Sequence, residues 1–411
     1  MTAPLRFCLV TTFYPPYHFG GDAIFVHRLA EALAARGHSV DVIHSEDAWR
    51  LKHQSEAPAE WPQHPLVRRH PLKTRYPFIA ATASHQLGQP VAYGKRLRRL
   101  LDDGNYDVIH FHNISLMGGP GVLRFGKALK LYAAHEYWLV CPTHALFTFN
   151  REACTERHCL RCTLHSRRPP QLWRYTGLLE RCTREVDLFL MPSRFSLDRH
   201  RADGLERPMA VLPHFVPVPA EHELADSGPD GSEPYFLYAG RLEKLKGVQD
   251  LVELFKTYRQ ASLWIAGDGD EAQVLREQAK ELPHVKFLGK LPAAELGQLY
   301  RQAIAVLAPS LCYETFSLSA AEALAHATPV IARKIGALGE LVEGSGGGLT
   351  FQTLAECETA MERLRCEPEL RRSLAARGRQ SALENWTAQK HINTYLDMVR
   401  GLLAKKAAGG R

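Results

Sequence analysis

No apolar run in this 411-residue chain approaches the about 20 residues needed to cross a bilayer as a helix. The first residues, "MTAPLRFCLVTTFYPPY", carry one arginine and a short apolar core. They lack a small-residue cleavage site and run into Pro15 and Pro16, so a buried first strand is the expectation rather than a signal peptide. With no export signal, a cytoplasmic location is expected. The chain also lacks a GxGxxG fingerprint and a GxxxxGK[ST] phosphate loop, which speaks against an NAD-dependent dehydrogenase or a kinase. Zinc-finger repeats, a helix-turn-helix pattern and alternating aromatic and basic residues are missing too, so no nucleic-acid partner is expected. Internal repeats and low-complexity tracts are likewise absent.

What is present fits a two-domain globular protein. A chain of 411 residues exceeds one typical core, and 45% hydrophobic with 23% charged residues is an ordinary globular balance. The net charge of +7 is uneven. Residues 1–220 hold 28 Lys and Arg against 19 Asp and Glu, a balance of +9, while the remainder carries −2. A basic first half suits an anionic partner, either acidic lipid headgroups or a phosphate-bearing acceptor; ordinary surface bias is the plainer reading.

Strand and helix patterns alternate twice along the chain. Segments 6–12, 40–44, 106–112, 129–136, 186–193 and 209–215 read as strands of a first half, and "DAIFVHRLAEALAARG" between the first two as a helix ended by Gly37. Residues 220–234, "AEHELADSGPDGSEP", read as a linker. Strands at 235–240, 262–267, 284–289, 303–310 and 328–332 follow, and a last helix is predicted over 387–404 with a frayed tail. The fold class is therefore α/β: two doubly wound Rossmann-like domains with a cleft between them. The domains span 1–219, with a cysteine-rich insert at 141–165, and 235–385; a final segment, 386–411, follows.

Two glutamates mark the candidate site. In "LCYETFSLSAAEALAHATPVIA" (311–332), Glu314 precedes a helix start near Phe316–Ser319 and Glu322 lies in its first turns. The first amides of such a helix form an anion site suited to phosphate. Glu314 could accept from sugar hydroxyls and Glu322 from a ribose diol; each taken alone reads as readily as a solvated loop acid or a dipole-favouring helix acid. Small residues at Ser317, Ser319, Ala320 and Ala321 clear space beside them. In "AGRLEKLKG" (239–247), Arg241 and Lys246 occupy a strand-to-helix loop and suit a diphosphate leaving group. In the first half, Gly20 and Gly21 let backbone amides approach an oxyanion.

Cys141, Cys154, Cys159 and Cys162 fall within 22 residues and end in C-x2-C. This spacing points to one structural zinc, with His144 or His158 as substitute ligands and free or redox thiols or an iron–sulfur cluster as alternatives. Beyond it, Arg167, Arg168, Trp173, Arg174 and Tyr175 suggest peripheral contact with an anionic membrane or a site for a phosphate-bearing acceptor. The bland alternative is a helix with a solvated basic face.

Together these residues resemble the retaining GT-B glycosyltransferases of family 4, over nearly the whole chain. The resemblance rests on Gly20 and Gly21, "HFH" at 110–112, "AGRLEKLKG", "HVKFLG" at 284–289 and the Glu-x7-Glu signature "ETFSLSAAE" at 314–322. It implies a nucleotide-diphosphate sugar held by the second domain and a glycan or lipid-linked acceptor held by the first. Arg241 and Lys246 would meet the diphosphate, amides near Phe316, Ser317 and Leu318 the phosphates, Glu322 the ribose and Glu314 the donor sugar. His112 would lie beside the reacting centre, and the last helix would cross back to the first domain. The implied chemistry is metal-independent transfer with retention, by front-face attack. The basic first half favours a lipid-linked or cell-envelope acceptor, with a peripheral place at the inner face of the cell membrane in polysaccharide or glycolipid synthesis. Ser317 departs from the glycine usual in the family, and "LPHFVPV" (212–218) departs from its usual turn, so donor identity does not transfer. The rival readings are a non-catalytic nucleotide-sugar-binding scaffold and an isomerase or phosphorylase on the same scaffold.

Overall fold

A computed structural model describes residues 3–51, 61–224 and 233–409. Most of the linker segment, 225–232, lies outside the described residues; 221–224 form a single 3-10 turn.

The strands are β1 (Arg6–Val10), β2 (Ser39–Ser45), β3 (Val67–Leu72), β4 (Val108–Phe111), β5 (Leu129–Ala133), β6 (Phe147–Thr148), β7 (Glu152–Ala153), β8 (Leu188–Met191) and β9 (Met209–Val211) in the first half. The second half has β10 (Tyr235–Ala239), β11 (Ser262–Ala266), β12 (Val285–Gly289), β13 (Val306–Ala308), β14 (Val330–Arg333) and β15 (Gly348–Phe351). Seven strands form one sheet in the order β3-β2-β1-β4-β5-β8-β9, and six form the other in the order β12-β11-β10-β13-β14-β15. Every pairing in both sheets is parallel. Continuous apolar runs explain this. "RFCLV" and "YFLYA" are buried on both faces, which only a sheet covered by helices on both sides can provide. β6 and β7 make a separate antiparallel hairpin within the cysteine-rich insert.

Besides that hairpin, two strands go beyond the sequence reading, β3 and β15, and each closes an edge of a large sheet. β3 reads "VRRHPL" and contains Pro71, which an edge strand tolerates because one side of it donates to no ladder. β15 reads "GLTF" and closes the other sheet. Polar and proline residues in β3 and the glycine that opens β15 leave these two with a weak pattern.

The last helix runs from Ala388 to Gly409. The tail expected to fray is helical through Gly409, because "LLAKKAAG" is made of strong helix formers. Its stripe Ile392, Tyr395, Leu396 and Val399 repeats at i, i+3, i+4 and i+7. That stripe packs with Phe7, Phe25 and Leu29 of the first half. Among the described residues no helix is long and apolar enough to cross a membrane.

Candidate active site

In a parallel sheet all carboxyl ends share one edge, and loops leaving that edge build the site. Two such loops meet in the second half, those after β10 and β13. The loop after β10 turns through a 3-10 segment, Lys244–Lys246, into Gly247. Gly247 has φ +75°, and a Cβ there would stand 2.2 Å from the carbonyl oxygen of Pro309, so only glycine seats this loop against the end of β13. The seating delivers Lys246 Nζ to Glu314 Oε1 at 2.8 Å. Ser310 Oγ donates to the same oxygen. Burial works to raise the Glu314 carboxyl, but Lys246, with hydrogen bonds from Ser310 and Ser317, outweighs it and holds the group below the usual range. Burial also works against the Lys246 charge, and Glu314 reverses the effect. The result is a fixed ion pair in front of the helix Leu318–Ala325, whose first amides have no intrahelical acceptor.

Glu322 lies one turn into that helix. Arg28 from the first half reaches across the cleft to it, Nη1 to Oε1, at 3.0 Å. Burial pushes the Glu322 carboxyl up and Arg28 partly offsets this. Gly20 and Gly21 open the helix that carries Arg28. A Cβ at Gly21 would lie 2.6 Å from Leu318 Cδ1, so the glycine turn sits directly against the start of the second half's site helix. A Cβ at Gly20, whose φ is +80°, would lie 3.9 Å from Arg241 Nε. Arg241 is exposed and pairs with Glu243. Phe316 places its ring against His214 and Trp386, at 5.5 and 6.1 Å between centroids.

The first half brings a chain of imidazoles. His112 Nδ1 is 2.8 Å from His135 Nε2, and His135 Nδ1 is 3.1 Å from His214 Nε2. Burial lowers all three pKa values, that of His135 to about 4. Each link then holds one proton, so the tautomer of one ring fixes those of the others. His112 Nε2 is buried and has no hydrogen-bond partner among the described residues. The chain is tied to the second half where Thr315 Oγ1 donates to the carbonyl oxygen of His135 at 2.7 Å and Tyr137 OH donates to that of Glu314 at 3.2 Å.

Asp22, beside the glycine turn, is the unusual acid. Burial raises its pKa from 3.8 to about 6, Glu136 adds to the rise, and the Ala23 amide and Arg241 oppose it. A carboxyl raised by folding stabilises the fold while protonated, and that contribution is lost as pH rises through about 6. Asp22→Asn should therefore match the parent's unfolding temperature below pH 3.8 and exceed it increasingly between there and about 6. A difference that stays constant across that window, read by thermal melts, would contradict this account of Asp22.

The structure thus gathers Lys246, Glu314, Ser317, Leu318 and Glu322 at one helix start, with Gly20, Gly21 and Arg241 facing it and His112 linked to it through His135. Asp22, Arg28, Tyr137 and His214 were not singled out as site residues from sequence. Asp22 follows the glycine pair directly, which was a usable signal. Arg28 was not legible, since its partner lies 294 residues away.

The cysteines behave differently from expectation. Cys141, Cys154, Cys159 and Cys162 do line one cavity. Yet among the described residues no three His, Cys, Asp or Glu side chains are grouped to hold a metal ion, so the spacing that suggested zinc is not matched by a ligand cluster. Three of the thiols have other partners: Cys141 Sγ lies 3.2 Å from Thr143 Oγ1, Cys154 Sγ donates to the Glu156 carbonyl at 3.3 Å, and Cys162 Sγ accepts from the Phe149 amide at 3.4 Å. His144 and His158, the substitute ligands, stand beside Glu136 and Glu156.

Comparison with known proteins places this chain in a family. Residues 19–218 match the family described as Glycosyltransferase Family 4, and residues 233–366 match Glycosyl transferases group 1. The glycogen synthase of Mycobacterium tuberculosis is 28% identical, with 97% of this chain and 96% of that protein covered. Among solved structures, the sucrose-phosphate synthase of Thermosynechococcus elongatus superposes with a TM-score of 0.75 at 20% identity, covering 97% of this chain and 99% of that one. The Anabaena protein HepE in complex with UDP-glucose superposes with a TM-score of 0.66 at 16% identity, covering 98% and 100%. The fold is GT-B, and the chain belongs to the group 1, family 4 glycosyltransferases.

Proposed function

We propose that this protein is a retaining glycosyltransferase that moves a sugar from a nucleotide-diphosphate sugar to an acceptor hydroxyl, acting in the cytoplasm on a glycan or lipid-linked acceptor in cell-envelope polysaccharide or glycolipid synthesis. The observation that carries the reading is the Lys246–Glu314 pair fixed before the helix Leu318–Ala325, with Arg241 and the Gly20–Gly21 turn facing it across the cleft. The UDP-glucose held by HepE, on the same fold, supports a nucleotide-sugar donor.

Breaking the bond between the anomeric carbon and the phosphate oxygen leaves negative charge on the nucleoside diphosphate. Lys246, Arg241 and the helix amides at Phe316–Leu318 stabilise that charge, so the cations are side chains and no metal ion is needed to supply them. Lys246 enters this role already charged, because Glu314 keeps it so. Glu314 holds a sugar hydroxyl and Glu322 the ribose diol, in place of the Arg28 contact. His112, neutral and oriented by His135, faces the reacting sugar. The acceptor hydroxyl attacks from the face the diphosphate leaves, and its proton passes to the departing phosphate oxygen. The half-buried His135 and Glu136 line the acceptor side.

The test is stereochemical. Slow donor hydrolysis, followed by proton NMR before mutarotation, should release the anomer present in the donor, at a rate unchanged by EDTA. Release of the opposite anomer would overturn retention, and loss of activity in EDTA would overturn the metal-independent step.

A further inference from the structure

We infer that His135 and His214 are positioning residues that hold His112 with its proton on Nε2, as a hydrogen-bond donor to the donor sugar. This deepens the transfer reading above and rests on it only for the sugar lying at His112.

A neutral imidazole has one N–H and one bare nitrogen. His112 and His214 are buried and His135 is half-buried. Burial keeps all three rings neutral; Glu136 pulls His135 the other way and does not outweigh it. The contact from His112 Nδ1 to His135 Nε2, at 2.8 Å, needs one proton, and so does the contact from His135 Nδ1 to His214 Nε2, at 3.1 Å. Only two arrangements satisfy both. In one, every ring carries its proton on Nδ1, and the spare N–H is that of His214. In the other, every ring carries it on Nε2, and the spare N–H is that of His112. Any mixed set puts two protons into one contact or none.

The two ends of the chain of rings decide between them. His112 Nε2 and His214 Nδ1 are both buried without a hydrogen-bond partner among the described residues. Their surroundings differ. The His214 ring lies against Phe25, at 4.0 Å between centroids, and Phe316, at 5.5 Å. The carbonyl of the preceding residue, Pro213, already receives His391 Nδ1 at 2.7 Å. An N–H on His214 Nδ1 would therefore be stranded among apolar rings. His112 stands one residue past β4, at the sheet edge whose loops build the site. A sugar oxygen there can receive its N–H. A buried N–H without an acceptor is rarer and costlier than an acceptor left unused, so the Nε2 arrangement is the one that fits the filled cleft.

Each ring then has a separate task. His214 Nε2–H donates to His135 Nδ1, and His135 Nε2–H donates to His112 Nδ1, which leaves His112 Nε2–H free for the ligand. His135 is held in place from the second half, where Thr315 Oγ1 donates to its carbonyl at 2.7 Å. His214 belongs to "LPHFVPV", the segment that departs from the family's usual turn. The outer link of the chain of rings comes from that departure.

The experiment is nitrogen-15 NMR of the full-length protein labelled at histidine, in long-range spectra that separate the two neutral tautomers, with the rings assigned by single His variants. Near neutral pH, His112, His135 and His214 are all expected to carry hydrogen on Nε2. A proton on His112 Nδ1, or a charged His135, would overturn the proposal. This spectrum needs neither a variant nor a nucleotide sugar, so it stands or falls apart from the enzymatic reading. His214→Leu removes the donor to His135 Nδ1, and the resonance of that nitrogen should move toward that of an unbonded ring nitrogen. The same variant should lower kcat about tenfold and change the donor KM less than about threefold, in hydrolysis of whichever UDP-, GDP-, ADP- or TDP-sugar the wild type accepts. His214→Gln offers an amide N–H in the place of Nε2–H and should restore the resonance and most of kcat. An unchanged kcat in His214→Leu, or equal losses in the Leu and Gln variants, would overturn the role of His214.

Discussion

Replacing Lys246 with alanine should lower turnover about 100-fold or more, the usual cost of removing a donor aimed at developing transition-state charge. The expectation follows from how Lys246 is held. Its ammonium is half-buried and kept charged by Glu314 at 2.8 Å, so its electrostatic effect is screened less than a surface lysine's would be. The variant has a second signature. Without Lys246, burial acts on Glu314 opposed only by hydrogen bonds such as those from Ser310 and Ser317, and its pKa should rise. The acid limb of the pH–rate profile should then move to higher pH. Lys246→Arg keeps the charge and should recover part of the turnover. Near-normal turnover in the alanine variant would remove Lys246 from the mechanism, and a loss of turnover with an unmoved acid limb would mean that Glu314 does not feel it.

The second large effect belongs to Glu322. Glu322→Ala should raise the donor KM about 10- to 100-fold, the range set by about 1.5–3 kcal/mol for hydrogen bonds to a charged group. The maximal rate should fall less, because the ribose contacts are made equally in ground and transition states. Glu322→Gln keeps the shape and loses the charge, and should fall between. Arg28 supplies the internal control: it occupies Glu322 across the cleft and lies on the first half. A variant whose maximal rate collapses while its KM holds would place Glu322 at the reacting centre instead of the ribose.

Much of the site was readable because it is local. Glu314, Phe316, Ser317, Leu318 and Glu322 lie on nine consecutive residues spanning one loop and one helix start, and the apolar runs on either side are short enough to be strands. Lys246 was readable because a glycine and three basic residues, Arg241, Lys244 and Lys246, follow a strand. The strands β3 and β15 were not, because β3 carries two arginines, a histidine and Pro71 and β15 opens on a glycine, whereas the other edges, β9 and β12, keep an apolar run. The contacts that close the cleft were not either. Arg28 with Glu322, Thr315 with His135 and Tyr137 with Glu314 each join residues far apart in the chain, and no local period reports them. The imidazole chain is the same case: His112, His135 and His214 come together only because three parallel strands end at one edge. The cysteines show the opposite limit: a local spacing suggested ligands and the four thiols do line one cavity, yet among the described residues no three side chains are grouped to hold a metal ion.

The most direct test of the central claim is release of nucleoside diphosphate from UDP-, GDP-, ADP- and TDP-sugars, measured for wild type and Glu322→Ala side by side. Release is expected from one donor class, and its loss in the variant at donor concentrations well below the variant's KM. No release and no binding of any of the four nucleotide sugars would contradict it.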